Sequence, residues 1–157
     1  MVWLRTLLSL RVVVIASVSL MCGACGSSSK GPAVVPVSGV VTLDGKALAG
    51  AQVTLIPQGA TAGQAAMGRT DAAGAFEVVT VDRQEKGAAE GSYRVLISKK
   101  VNPDGTDFMP KPDDDPMLAS YKEVLPAAYW DETKSMLSAE VPAGGAKLEF
   151  NLDSKKR

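Results

Sequence analysis

The sequence predicts an all-β fold, a sandwich of roughly seven antiparallel strands interrupted by one long loop. Three observations carry that expectation: short runs in which apolar and polar residues alternate, tight-turn residues between the runs, and a near absence of helical apolar spacing. In residues 36–57, Val37, Gly39, Val41 and Leu43 share one direction while Ser38, Val40 and Thr42 share the other. Asp44-Gly45 then supplies residues that tolerate the positive φ of a tight turn, and Val53 and Leu55 resume the inward face until Pro57. This reads as the opening of a β-meander.

The scheme repeats downstream. Residues 67–70 and 75–81 flank Asp71-Ala72-Ala73-Gly74, which is a strand, a turn and a strand. Residues 91–98, with Tyr93, Val95 and Ile97 on one face, are expected to form a central strand. Residues 136–141 and 146–152 alternate around Pro142-Ala143-Gly144-Gly145 and read as a closing hairpin. Met117, Leu118, Tyr121 and Val124 fall at helical spacing, so a helix is expected over 116–124. The predicted core is Val41, Val53, Leu55, Phe76, Tyr93, Val95, Ile97, Leu148 and Phe150.

Between strands, residues 99–135 form an interruption longer than the roughly 15 residues at which loops become either functional or unstructured. The stretches Asn102-Pro103-Asp104-Gly105 and 111–116 are rich in proline, glycine and acid, which predicts a mobile centre. Leu125-Pro126-Ala127-Ala128-Tyr129-Trp130-Asp131 is apolar enough to dock on the rim.

The chain has 157 residues, 46% of them hydrophobic, which suits one globular domain. A sandwich of about 120 residues buries enough surface to fold without disulfide or metal. The 17 basic and 17 acidic residues balance; without Arg5 and Arg11 the count is 15 against 17, a net charge of −2. With no basic cluster before the last three residues, nucleic acid is excluded as a partner class, because phosphate neutralisation needs a positive face.

At the N-terminus, Arg5 and Arg11 precede the apolar stretch 12–21, which is about half the length a membrane-spanning helix needs. A cysteine following small residues at the end of such a stretch resembles the bacterial lipobox, in which the cysteine receives diacylglycerol and becomes the mature N-terminus. Cys25, after Gly23-Ala24, is the lipidation candidate; Cys22 follows bulky Met21 and is expected to leave with the leader. The alternative is an ordinary secretory cleavage nearby that leaves Cys25 as a free or intermolecularly paired thiol. The organisation expected is a signal peptide over 1–24, a lipidated flexible tether over 25–33, the sandwich over 34–153 with its loop at 99–135, and a basic tail over 154–157.

Catalytic chemistry is hard to place in this chain. Histidine is absent, which removes the commonest general base, zinc ligand and triad member. Asp113-Asp114-Asp115 lacks the spacing of a calcium loop and reads as a solvated acidic segment. Glu123, Asp131 and Glu132 show no spacing that would fix a catalytic carboxylate pair. Tyr129 and Trp130 are the candidate ligand contacts, since adjacent aromatics can stack on sugars or anchor a protein partner. In an extended segment one ring would pack inward and the other stay partly exposed.

Four segments, Val37-Ser38-Gly39-Val40-Val41, Asp44-Gly45 through Val53, Thr70-Asp71-Ala72-Ala73-Gly74-Ala75-Phe76 and Gly91-Ser92-Tyr93-Arg94-Val95, together resemble the carboxypeptidase regulatory-like family, over residues 36–152. Leu125-Pro126 and Tyr129 match a Leu-Pro-x-x-Tyr segment found in its small bacterial lipoproteins. The resemblance implies a transthyretin-like sandwich with an accessory or structural role, and the missing histidines add the expectation of no enzymatic activity and no cofactor. The expectation is therefore an exported lipoprotein domain, anchored to a bacterial membrane and facing the periplasm or cell exterior. Its expected partner is an envelope protein or polysaccharide, and the alternative is a carbohydrate- or peptide-binding module that uses the 99–135 loop and Trp130.

Overall fold

Alternating side chains can bury one face of a strand only if a second layer covers it, and this chain supplies both layers. A computed structural model describes residues 31–109 and 120–156. In chain order the elements are β1 (Val34–Val35), β2 (Val37–Leu43), β3 (Lys46–Ala47), β4 (Gln52–Pro57), β5 (Ala66–Arg69), β6 (Ala75–Thr80), β7 (Ala88–Ala89), β8 (Gly91–Ser98), β9 (Lys100–Val101), β10 (Lys122–Glu123), α1 (Ala127–Trp130), β11 (Ser138–Val141) and β12 (Ala146–Leu152). The protein is an all-β sandwich.

The main strands run in the order β11-β8-β4-β5-β6-β2-β12, with β3 added to β2. The path curls at β6. Its first half, residues 75–77, pairs with Val40, Gly39 and Ser38 of β2, and its second half, residues 78–80, pairs with Gly68, Met67 and Ala66 of β5. One strand thus belongs to both layers, and the inner faces meet in a core that includes Val41, Val53, Leu55, Phe76, Val78, Tyr93, Val95, Ile97, Val141 and Phe150. Phe76 and Phe150 stack across it with centroids 6.3 Å apart. Gly39 sits where β12 and Phe76 close in: a Cβ there would overlap the Leu148 carbonyl and the Phe76 ring. It serves close packing rather than a bulge or turn.

The expected strands form, but some neighbours differ from expectation. Asp44 and Gly45, at φ 50° and 77°, turn β2 into the two-residue β3, after which β4 crosses to the other layer between β5 and β8 instead of completing a meander. β11 and β12 do not form a hairpin: β11 pairs antiparallel with β8, while β12 runs parallel to β2 over seven register pairs. Alternation specifies which face turns inward and is silent about which edge a strand joins. Leu148 is half-buried because β12 is an edge strand, whereas the other predicted core residues are buried. The expected 116–124 helix is absent from its described part, where Lys122 and Glu123 pair with Val101 and Lys100 as β10 and β9.

Chain direction divides the sandwich into two ends. Residues 31–36, 58–65, 81–90 and 142–145 gather at one: Val34 and Val35 pair with Ala89 and Ala88, the Gln58 N–H donates to the Ser92 carbonyl (2.9 Å), the Val81 N–H to Ala65 (3.0 Å) and the Ala146 N–H to Pro36 (3.0 Å). At the other, Gly50 donates to Thr70 (3.0 Å), Asp44 accepts from the Ser154 N–H (3.0 Å) and the Lys99 ammonium reaches the Ala49 carbonyl (2.7 Å). The long connection leaves from this second end.

Truncating Phe76 removes its stack on Phe150 and opens a cavity beneath Gly39. Phe76→Ala is expected to lower unfolding free energy in urea by about 3–5 kcal/mol, and a loss below about 1 kcal/mol would place the ring outside the core.

Candidate functional site: the long connection and its aromatic pair

The connection begins as ordered backbone. β9 and β10 pair antiparallel, and Asn102 to Thr106 closes a turn in which the Asn102 N–H donates to the Thr106 carbonyl (2.8 Å) and the Gly105 N–H, at φ 86°, to Asn102 (2.9 Å). Asp104 Oδ1 accepts from the Thr106 N–H (2.9 Å) and hydroxyl (2.7 Å). The expectation of a mobile centre is thereby corrected for Asn102-Pro103-Asp104-Gly105, because turn-forming side chains satisfy the backbone locally. Asp113, Asp114, Asp115 and Cys25 lie outside the described residues.

Polar groups tie the connection down. Glu123 Oε1 accepts three backbone N–H groups, those of Lys99 (2.8 Å), Val124 (3.1 Å) and Leu125 (3.1 Å). Asp107 lies 3.4 Å from the Lys99 ammonium and 3.9 Å from the Arg69 guanidinium. Each ion pair is partly exposed and contributes little alone, but together they fix the residue 99–109 segment against β5 and residue 49. Phe108 packs on Tyr121 with centroids 5.0 Å apart, and the Lys100 ammonium stands 4.2 Å from the Tyr121 ring centre. Lys100 pairs with Glu123 across β9 and β10, and Lys99 is held by its N–H on the Glu123 carboxylate and by the Val124 N–H on its carbonyl (2.9 Å).

The aromatic pair sits on α1. Pro126 precedes the turn with ψ at 145°, as its own geometry allows, and the Asp131 N–H closes the turn on the Ala127 carbonyl (3.0 Å). Neighbouring residues on a helix point about 100° apart, so one ring turns in and the next turns out. Tyr129 is 2% exposed. Its hydroxyl accepts the Asp153 N–H (2.8 Å) and donates to the Asp153 carbonyl (3.3 Å), pinning α1 to the end of β12. Trp130 is 40% exposed, and its indole N–H donates to the Leu125 carbonyl (3.0 Å). Of the two candidate contacts, Trp130 alone presents ring surface to an outside ligand, and a helical turn rather than an extended segment produces the split.

After α1, Asp131 Oδ1 accepts from the Thr133 hydroxyl (2.6 Å) and N–H (2.9 Å), and its Oδ2 lies 3.6 Å from the Lys134 ammonium. Buried Ser135 donates to the Val95 carbonyl (2.8 Å), and Arg94 donates to the Glu132 carbonyl (2.9 Å). These bonds lead the chain down β8 to Met136, which is 90% exposed beside a depression of about 510 Å³ lined by Gln58, Arg94 and Glu140 among others. The anchoring roles of Glu123 and Ser135 were not foreseen, since one carboxylate and one hydroxyl in a polar loop carry no pattern in sequence.

Among the described residues, no group of three or more histidine, cysteine, aspartate and glutamate side chains is placed to hold a metal ion. Glu123 and Asp131 use carboxylate oxygens to cap backbone. Burial pushes the Tyr93 phenol up, partly opposed by its hydrogen bond to the Ala89 carbonyl (2.8 Å). No protein-family model, curated protein or solved structure matches the chain.

Tyr129→Phe removes the link to Asp153 and is expected to cost about 0.5–1.5 kcal/mol and to speed tryptic cleavage at Lys122 and Lys134; unchanged stability and cleavage would show that the hydroxyl bridges nothing. Hydrogen bonds from the Ser154 backbone, the Thr106 hydroxyl and the Thr133 hydroxyl hold Asp44, Asp104 and Asp131 below the usual carboxylate range. Because the folded state favours their charged forms, the stability they supply is complete above about pH 4 and is lost as pH falls through the lowered folded values. Carbon-13 titration of the side-chain carboxyls is expected to give all three midpoints below those of the unfolded chain.

Proposed function

We propose that the protein is a non-enzymatic, membrane-anchored lipoprotein domain of the carboxypeptidase regulatory-like type, acting as a structural or protein-interaction module in the bacterial cell envelope. The observation that carries this reading is how the long connection uses its side chains. Glu123, Ser135 and Tyr129 are engaged in holding the segment to the sandwich and Asp131 caps the turn after α1, while Tyr121, Val124 and Trp130 keep exposed apolar surface on a fixed frame. A rigid scaffold carrying a positioned surface suits recognition. The lipobox-like Gly23-Ala24-Cys25 and the short polar stretch after it support display from a membrane toward the periplasm or exterior.

A second reading is favoured by Trp130 itself: a carbohydrate- or peptide-binding module in which the exposed indole stacks on its ligand. Tethering of the indole N–H to Leu125 preorients the ring, which lowers the entropy lost on contact.

Cys25→Ala is expected to abolish labelled-palmitate incorporation and to shift the protein from membrane to soluble fractions; incorporation that survives the substitution rules out Cys25 as the anchor. Trp130 is the one tryptophan beyond residue 25. An emission shift on titration with envelope polysaccharides or peptides, together with calorimetric binding that is lost in Trp130→Ala, would select the second reading over the first.

A further inference from the structure

We infer that the sandwich stands on its membrane with one polarity: the end built from 58–65 and 142–145 faces the lipid headgroups, and the β9–β10 end lies farthest from them. The inference rests on lipid anchoring at Cys25 and adds the surface that meets the bilayer.

Its first support is where the chain enters the fold. Gly31 and Pro32 are held at one end of the sandwich: Arg83 Nη2 donates to the Pro32 carbonyl (3.1 Å), a Cβ on Gly31 would collide with the same guanidinium, and a Cβ on Gly63 would lie 3.3 Å from the Pro32 ring. β1 then pairs with β7 before β2 begins. The entering chain is therefore bound to the 58–65 and 81–90 loops.

The second support is reach. Six residues from Cys25 to Gly31 span at most about 20 Å when fully extended. β8, whose eight residues from Gly91 to Ser98 make seven steps of about 3.3 Å, runs about 23 Å from one end to the other before its turns are added. A tether shorter than the strands cannot pass along the sandwich and bring the opposite end to the bilayer.

Surface chemistry agrees with this polarity. Residues 58–65 and 142–145 contain no charged side chain, so headgroups can approach them without stripping water from an ion. The 81–90 loop at the same end carries Asp82, Arg83, Glu85, Lys86 and Glu90, two basic against three acidic side chains for a net charge of −1, and Arg83 is paired with Asp82 (3.6 Å) and Glu85 (3.4 Å). Lys46, Lys100, Asp104 and Lys122 lie at the other end, with exposed Met109, Tyr121 and Val124. A partner of that distal surface approaches from the aqueous side and is a soluble or opposing-surface macromolecule, whereas bilayer lipid meets the uncharged loops.

The test uses the full lipidated chain in phosphatidylcholine–phosphatidylglycerol vesicles doped with a nitroxide-headgroup lipid. Gly144→Cys and Lys46→Cys, made separately, each introduce one thiol for a fluorophore; a side chain at residue 144 meets open space and residue 46 is exposed. The residue 144 probe is expected to be quenched several-fold more than the residue 46 probe. Equal quenching, or stronger quenching at residue 46, overturns the polarity. A chain that fails to float with the vesicles removes the Cys25 anchor instead, and the inference with it, before any quenching is read.

Discussion

Everything in this sandwich depends on β6 pairing with two different neighbours. Residues 75–77 complete the β2 layer and residues 78–80 complete the β5 layer, so the strand bends from one sheet into the other while Phe76 and Val78 stay on the inner side. Small residues permit the close approach that this bend requires. Gly39 admits the Phe76 ring, and Gly68 lies where a Cβ would overlap the Glu77 carbonyl. A continuous ladder can then wrap a core without leaving buried backbone groups unpaired at the corner, where desolvation would otherwise be costly.

The open side of that wrap is where the long connection works. β11 and β12 are the two ends of the ladder, and each has one neighbour in it. α1 bridges near this opening: it packs against β8, and Tyr129 reaches Asp153 just beyond β12. Leu125 and Tyr129 thereby join the same buried cluster as Tyr93, Val95 and Phe150. The connection is part of the core's closure as well as a carrier of exposed groups, and the two roles are compatible because adjacent positions on a helical turn face different ways.

The proposed function draws on what those restraints leave outward. Glu123 and Asp131 use carboxylate oxygens to cap backbone N–H groups, and among the described residues of the connection Tyr121, Val124, Trp130 and Glu132 stay exposed. Recognition by such a surface depends on its being held still, which Glu123, Asp107 and Tyr129 accomplish from three directions. Under the proposed anchoring, that surface also has to be aimed. Here the parallel course of β2 and β12 matters, because both begin at the end where the chain enters and both finish at the end from which the connection departs.

By itself the sequence determined the fold class, the strands and most of the inward residues. Alternation in Val41, Val53, Leu55, Tyr93, Val95 and Ile97 is a local consequence of a pleated strand with one dry face, and Asp44-Gly45 and Asp71 to Gly74 announce turns through the backbone conformations they tolerate. It likewise marked Cys25, Tyr129 and Trp130 as the residues to watch, and the stretch around Leu125 as a docking segment. Tertiary structure decided the neighbours: β4 and β12 each join a layer that their preceding strand does not belong to, because hydrophobic periodicity selects a face and only long-range packing selects an edge. It also decided that 122–123 is strand and 127–130 is helix, against the apolar spacing of 116–124, since pairing with Lys100 and Val101 and the Tyr129–Asp153 bonds outweigh the weak preferences of so few residues.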